Sequence, residues 1–396
     1  MTPAALLAAL GATPLPAALV DLAAFDANVD HFVGIARRAG KRLRVATKSV
    51  RVPRLLERVR DRAGDTLAGL MTFTAAETAF LAGQGFPDLL LAYPTAHPGD
   101  AALLARANAE GARARVVVDA PEQLAVLAAA ARAAGATVPV VVEIDLAYRR
   151  LGLHLGVRRS PLHGAAAVVA LAEQAAASTG LHFDGVMGYE AQVAGLPDRP
   201  AHGLLGPGVR ALKRLSMPEV ARLRAEVVAA LAARRLPPAL VNGAGTGNAA
   251  QAAAEPALTE LAVGSGFLVG HLFDGYASLH LLPALHFALQ AVRRPAPDLV
   301  TCHGGGYVAS GAPGPDRLPI VCHPAGATLL GGEGAGEVQT PVRLPAGATV
   351  GLGAPLLFRP AKSGELAERF ADYHLIAPGG AVEVVPTYRG LGCCFL

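Results

Sequence analysis

Residues 114–145, ARVVVDAPEQLAVLAAAARAAGATVPVVVEID, hold one complete unit of the pattern that runs through most of the chain. A short apolar run ending on Asp119 gives way to an Ala/Leu/Arg segment of helical period, and a second apolar run begins after Gly135. An apolar strand-length run followed by such a segment is a βα unit, and its repetition makes a parallel sheet. Working outward in both directions, candidate strands fall at 18–21, 43–47, 66–71, 89–92, 114–119, 138–145, 183–188, 239–242 and 261–263. Roughly eight such units within about 260 residues match the rhythm of a (β/α)8 barrel better than an open doubly wound sheet. Beyond about residue 285 the pattern changes: Gly, Pro and short β-type runs at 318–321, 336–340 and 381–385 predict a smaller all-β domain. The expected division is an α/β barrel over 18–284 and a β domain made of 1–17 plus 285–396.

Composition narrows the function classes. The 396 residues are 52% hydrophobic and 17% charged, which excludes a disordered chain because burial of that much apolar surface offsets the entropy of ordering. Thirty-five Lys and Arg against 31 Asp and Glu leave only +4, there is no Trp, and Glu57 and Asp61 interrupt the basic run 51–62. No nucleic-acid partner is expected from such a surface. The first 20 residues carry no charged side chain but are broken by Pro3, Gly11, Pro14 and Pro16, so neither a signal peptide nor a membrane span is expected. Cys302, Cys322, Cys393 and Cys394 have no CxxC spacing, which makes a reducing cytoplasm the expected compartment.

In a barrel, residues at the C-terminal ends of strands line the active site. That rule selects Lys48, at the end of the run Leu43-Arg44-Val45-Ala46-Thr47-Lys48, where an amine can form a Schiff base with a carbonyl; the plain alternative is a surface lysine in a βα loop. Asn242-Gly243-Ala244-Gly245-Thr246-Gly247 follows a late strand and Gly264-Ser265-Gly266 follows the next. Either loop alone reads equally well as a turn. Together they sit where barrels bind phosphate through backbone N–H groups and short hydroxyls. An early strand-end lysine plus two such loops point to a phosphate-bearing carbonyl cofactor, and pyridoxal 5'-phosphate meets both requirements. Arg149 and Arg150 lie past a third strand end, where one can reach the cofactor phenolate or both can be a surface pair. Gly188-Tyr189-Glu190-Ala191-Gln192 ends another strand. Any of Tyr189, Glu190 and Gln192 can face a substrate, with ring packing or a loop salt bridge as the alternatives.

These segments occur in the order of a known family. Val45-Ala46-Thr47-Lys48, 145–152, Gly188-Tyr189-Glu190, 242–247 and 260–266, with 304–311 and 333–341 further on, resemble the fold-type III pyridoxal-phosphate enzymes. The likeness is to the D-threonine aldolase and D-serine dehydratase branch of the alanine-racemase-like superfamily, in its amino acid deaminase/aldolase subgroup. The resemblance implies that Lys48 carries the cofactor and that Arg150 approaches its ring oxygen. It further implies that Gly243, Gly245, Thr246, Gly264, Ser265 and Gly266 cradle the phosphate and that Tyr189 faces the ring. It also implies a homodimer with the β domain near the partner's barrel mouth.

The chain departs from that branch at three places. Its aldolases and dehydratases hold a metal with a His and, two residues on, a Cys or Asp. The corresponding stretch here is Phe358-Arg359-Pro360-Ala361-Lys362, which offers no ligand atom free of positive charge, so no metal is expected there. Lys362 can replace the ion as a fixed charge near the substrate hydroxyl, or be a surface lysine before an amphipathic helix over 365–373. Gln192 stands where the aldolases have a His base, and an amide takes no proton at neutral pH. Ala262 stands where racemases set an arginine against the pyridine nitrogen. His303 and His323 each follow a cysteine, which fits packing better than a metal site. The expectation is a lyase acting on a small D-amino acid, with Lys48, Tyr189, Gln192 and Lys362 at the reacting centre, by aldol cleavage of a D-β-hydroxy amino acid. Elimination by a deaminase of the dehydratase type, racemisation, and a non-catalytic cofactor-binding regulator are the alternatives.

Overall fold

The structure is a computed structural model that describes residues 1–150, 153–199 and 206–396; the side chains of Arg150 and Leu153 lie outside the described residues. Its strands begin with β1 (Ala17–Asp21), β2 (Arg42–Ala46), β3 (Leu67–Thr72), β4 (Asp88–Leu91), β5 (Arg113–Val118), β6 (Val138–Glu143), β7 (Tyr148–Arg150) and β8 (Leu153–Leu155). They continue with β9 (Leu181–Met187), β10 (Leu240–Gly243), β11 (Glu260–Val263), β12 (Leu285–Ala296), β13 (Leu299–His303) and β14 (Ile320–His323). The last are β15 (Thr328–Leu329), β16 (Gln339–Arg343), β17 (Pro355–Arg359), β18 (Asp372–Ile376) and β19 (Val382–Pro386). The chain divides into two compact units, one of Met1–His31, Ser49–Arg62 and Ser265–Cys394, the other of Phe32–Lys48, Ala63–Gly264 and Phe395–Leu396.

In the second unit eight parallel strands close a barrel in the order β10, β11, β2, β3, β4, β5, β6, β9. The expected (β/α)8 barrel is present. Val116, Val117 and Val118 in β5 and Val140, Val141 and Val142 in β6 are fully buried, because a parallel strand is covered on one face by the lumen and on the other by helices. The helix between them, Pro121–Ala133, starts with Pro at its first turn. The Gln123 side chain accepts the N–H groups of Asp119 at 2.7 Å and Ala120 at 3.2 Å, satisfying donors that a helix start leaves open. The chain then turns at Gly135, whose φ of 62° suits a residue without Cβ.

Inside the barrel, Leu90, Val117, Val141, Met187 and Leu240 from five strands meet in one apolar cluster. Two residues earlier on β4 and β5, on the same face, stand Asp88 and Arg115, and here the lumen is ionic. Arg44 on β2 holds Glu260 of β11 at 2.9 Å and Asp88 at 2.8 Å; Arg115 holds Asp88 at 2.6 Å and pairs with Asp184. Asn242 donates to Glu260 at 2.8 Å. Arg44 is 1% exposed, so this linked set fills the lumen beneath the apolar layer.

In the first unit a nine-stranded sheet runs β15, β16, β13, β12, β1, β18, β19, with β17 pairing β12 and β14 pairing β17. The run at 18–21, expected to open the barrel, is a strand of this sheet instead. Leu19 pairs antiparallel with His286 and parallel with His374, and the barrel starts at β2. The helix Pro3–Leu10 sets Leu6 and Leu10 against Leu19, Ala288, Leu357 and Ile376. The amphipathic helix expected over 365–373 is a short 3-10 turn, Gly364–Glu368, followed by β18. Sheet pairing takes only the end of the run, from Asp372, and buries Tyr373 completely, which leaves too few residues before β18 for more than the short turn.

Candidate active site

β2 ends at Ala46, and a 3-10 turn, Thr47–Ser49, carries Lys48 away from the strand at its C-terminal end. The Thr47 hydroxyl donates to Met71 O at 3.0 Å, fixing the turn on the neighbouring strand. Lys48 Nζ is 2.8 Å from the hydroxyl of Tyr93, two residues past β4. β11 lies next to β2 with Val263 opposite Val45. Gly264, the next residue, approaches so closely that a Cβ there would stand 2.4 Å from Ala46 O. A side chain at 264 would push apart the two strand ends that lead to Lys48 and to Ser265. In the sheet unit, Ser265 Oγ is 2.8 Å from Ser49 Oγ, the residue after the lysine.

The loop after β10 is built from below. Gly245 packs against Tyr189, a Cβ there lying 3.2 Å from the ring. Its N–H donates to Asn248 Oδ1 at 2.9 Å, and the N–H of Ala244 donates to Glu190 Oε1 at 3.1 Å. These two donors are already used, so neither N–H is open to an anion approaching this loop. Thr246 is buried at the same turn. Burial first, then the neighbouring Glu190, push the Tyr189 phenol up to about 12 against the pull of Arg159, whose guanidinium lies 5.6 Å from the ring centre. At neutral pH that hydroxyl donates and does not act as a base.

Gln192, on the short helix Ala191–Ala194, is 3% exposed. Its amide donates to Leu146 O at 2.8 Å while Oε1 has no hydrogen-bond partner among the described residues. Glu190 is turned away from solvent onto Arg224. Arg149 is paired with Asp145, and the side chain of Arg150, expected to approach the ring oxygen, lies outside the described residues. In the sheet unit, Lys362 Nζ donates to Ser310 O at 2.7 Å and to its hydroxyl at 3.1 Å, with Glu365 at 3.8 Å.

The sequence matches the family model described as alanine racemase, N-terminal domain, over residues 20–270. The chain belongs to that family. Among alanine-racemase-like relatives it is 32% identical over 237 residues to 3-hydroxy-D-aspartate aldolase of Paracoccus denitrificans, covering 59% of this chain and 54% of that one. The match thus spans about half the length of that relative. It is 27% identical over 295 residues to D-threonine aldolase of an Arthrobacter species, 73% of this chain and 71% of the other. The solved structure of D-threonine aldolase from Filomicrobium marinum superposes with a TM-score of 0.80 at 22% identity over 95% of both chains. D-threo-3-hydroxyaspartate dehydratase from Delftia sp. HT23 gives 0.76 at 20% identity over 95% of this chain and 98% of that one. Both likenesses show the alanine-racemase-like fold.

The residues test two groups that such a fold implies. For pyridoxal phosphate the donor set fits: an exposed strand-end amine beside a phenol, and hydroxyl- and glycine-rich loops after the two late strands. For the metal it does not fit. Arg359 is locked to Asp274 by two bonds of 2.9 and 2.8 Å and to Val269 O at 3.0 Å. With Lys362 it gives that stretch two cations and no lone pair to offer. Among the described residues no group of three or more His, Cys, Asp or Glu is arranged to hold an ion. Turnover should therefore be unchanged after exhaustive dialysis against a chelator. Loss of activity with recovery on adding a divalent cation would mean that other ligands serve.

Two further strand-end groups join these candidates. Tyr93, two residues past β4, obeys the same strand-end rule as Lys48, and no motif around it in the sequence marks it. Glu143, last in β6, lies on the face of Val141, opposite the Asp119 end of β5. Burial first, then Asp119, push its carboxyl up to about 7, with Arg159 opposing and Asp145 adding. The ordinary value is 4.5. Between those two values the folded chain binds more protons than the unfolded one, so the stability this group contributes is present below the window and lost as pH rises through it. Glu143→Gln should gain roughly 3 kcal/mol on the parent protein between about pH 4 and about pH 8, read from urea midpoints. A pH-independent offset would show that the charged form is not penalised.

Proposed function

We propose that the chain is a pyridoxal-phosphate-dependent lyase that cleaves a small D-β-hydroxy amino acid between Cα and Cβ. The observation that carries the reading is Lys48 at the C-terminal end of β2 in an alanine-racemase-family barrel, beside the end of β11 and 2.8 Å from Tyr93. The names of the aldolase relatives supply the substrate class. Pyridoxal phosphate, when bound, supplies a carbonyl for the amine and an electron sink for the pair left on Cα.

The chain's own groups do the rest. Lys48 Nζ would hold the cofactor, and as a free amine it is able to hold a proton for Cα. Tyr93 OH fixes its direction. Gly243, Gly245, Thr246, Gly264, Ser265 and Gly266 shape the phosphate site, and Arg150 supplies the cation for the ring oxygen. Tyr189, protonated at neutral pH, offers its hydroxyl to a developing oxyanion. Gln192 binds by hydrogen bond only. Glu143, whose carboxyl burial pushes up to about 7, is the group able to accept the β-hydroxyl proton. The four cysteines are free, which supports a reducing cytoplasm. The homodimer is the assembly that the family resemblance implies. Among the described residues no helix is long and apolar enough to cross a membrane.

The test is a panel of D- and L-threonine, serine, phenylserine and 3-hydroxyaspartate, scored for products. Glycine plus an aldehyde from the D-substrates supports cleavage. Ammonia plus a keto acid assigns the chain to elimination, inversion at Cα assigns it to racemisation, and no consumption with cofactor bound leaves the regulator.

A further inference from the structure

Beneath the loop after β10 lies a buried charged cluster that no catalytic step uses. Arg224, inside the helix Gly206–Ala233, is completely buried, as is Glu190. Its Nη2 lies 3.2 Å from Glu190 Oε2, and its Nη1 is paired with Glu255. Lys41 Nζ donates to the backbone oxygens of Glu255 and Leu258 at 2.7 and 2.6 Å. Arg224 thus stands between two buried carboxylates, with the half-buried Lys41 held at the edge of the cluster by backbone oxygens, and buried charges are tolerable only when so paired.

The cluster reaches the loop through its second carboxylate oxygen. Glu190 Oε1 accepts from Ala244 N at 3.1 Å and from Asn248 Nδ2 at 3.0 Å, and Asn248 Oδ1 in turn accepts from Gly245 N at 2.9 Å. Ala244 is a residue with a side chain at φ 72°, a conformation that costs energy unless its surroundings impose it. Gly243 has no room for a Cβ, which would stand 2.7 Å from Arg224 Nη2. Gly243, Ala244 and Gly245 are thus each set by a contact with Arg224, Glu190 or Asn248.

We propose that Glu190, Arg224 and Asn248 are positioning residues that hold the loop 243–248 in the shape that receives the cofactor's phosphate, with Arg224 neutralising the Glu190 carboxylate beneath the incoming dianion. The proposal rests on the reading of this loop as the phosphate site. It makes the preference for a phosphorylated over an unphosphorylated cofactor the property these residues control, while attachment at Lys48 depends on the aldehyde alone.

The experiment titrates full-length chain, stripped of cofactor, with pyridoxal phosphate and with pyridoxal by calorimetry, for the parent, Glu190→Gln and Asn248→Ala. Circular dichroism checks that each variant is folded. The parent is expected to prefer the phosphate. Each variant is expected to lose about 10-fold or more of that preference, the scale of a hydrogen bond to a charged group, with pyridoxal affinity unchanged. If Glu190→Gln does not fold, Asn248→Ala, which removes no charge, decides alone. A parent with the preference and variants that keep it would overturn the positioning role while leaving the loop as the phosphate site. A parent with no preference would overturn the phosphate reading and the proposal with it. Equal loss of both affinities in a folded variant would mean general damage to the site and would also overturn the proposal.

Discussion

Replacing Lys48 with Ala is expected to give a folded, colourless protein that no longer retains pyridoxal phosphate covalently. Turnover of β-hydroxy amino acids should fall by at least roughly 10²- to 10⁴-fold, the contribution of one positioned proton-transfer group. Lys48 is exposed and its side chain holds Tyr93, so the exchange removes chemistry and little stability; substitutions at such sites usually stay within about 0.5 kcal/mol. Borohydride treatment of the parent protein followed by peptide mapping should find the pyridoxyl group on Lys48 and on no peptide of the variant. A label on another lysine of the parent would move the site.

The largest effect on stability is expected from Arg44→Ala. This change leaves Glu260 with Asn242 as its remaining partner and takes from Asp88 one of its two arginines. Against burial, which acts in the opposite sense, Arg44 and Arg115 hold the Asp88 carboxyl below its ordinary range. Removing half of a buried pair typically costs roughly 3–5 kcal/mol, because the surviving charge has lost both water and partner. A fall of that size in unfolding free energy, seen as a lower urea midpoint with little change in slope, is the expected result. Arg44→Met combined with Glu260→Leu should recover most of it, since the pair then leaves together. A single variant within about 1 kcal/mol of the parent would contradict the reading that the lumen depends on this ion pair.

What could be read from the sequence follows from which signals are local. Val-rich runs alternating with helical segments identified the barrel, because burial on both faces writes itself into consecutive residues. The same signal misplaced the run at 18–21. Ala-Ala-Leu-Val-Asp has the composition of a barrel strand, and nothing within it states that its partners are β12 and β18. The run 365–373 contains good helix formers, and only distant strands decide that its end, from Asp372, enters a sheet and cuts the helix short. At the site, the strand-end rule selected Lys48 from its position alone. Glu190 stayed ambiguous because its meaning lies in Arg224, on a separate helix, and Arg44 passed unremarked because a charge within an apolar run gives no hint that Glu260 answers it across the lumen.

The placement of β1 bears on how the protein is made. Every residue of this strand is buried, yet its two neighbours are supplied by residues around His286 and His374, with the whole barrel encoded between. At roughly 5–20 residues per second, β1 waits on the order of tens of seconds after leaving the ribosome before both edges can be covered. The barrel, whose strands follow one another along the chain, can close in that interval. During it Ala17, Leu19 and Val20 have no sheet to enter, so high-level expression should depend on a holding chaperone that shields the nascent N-terminal segment until translation is nearly finished.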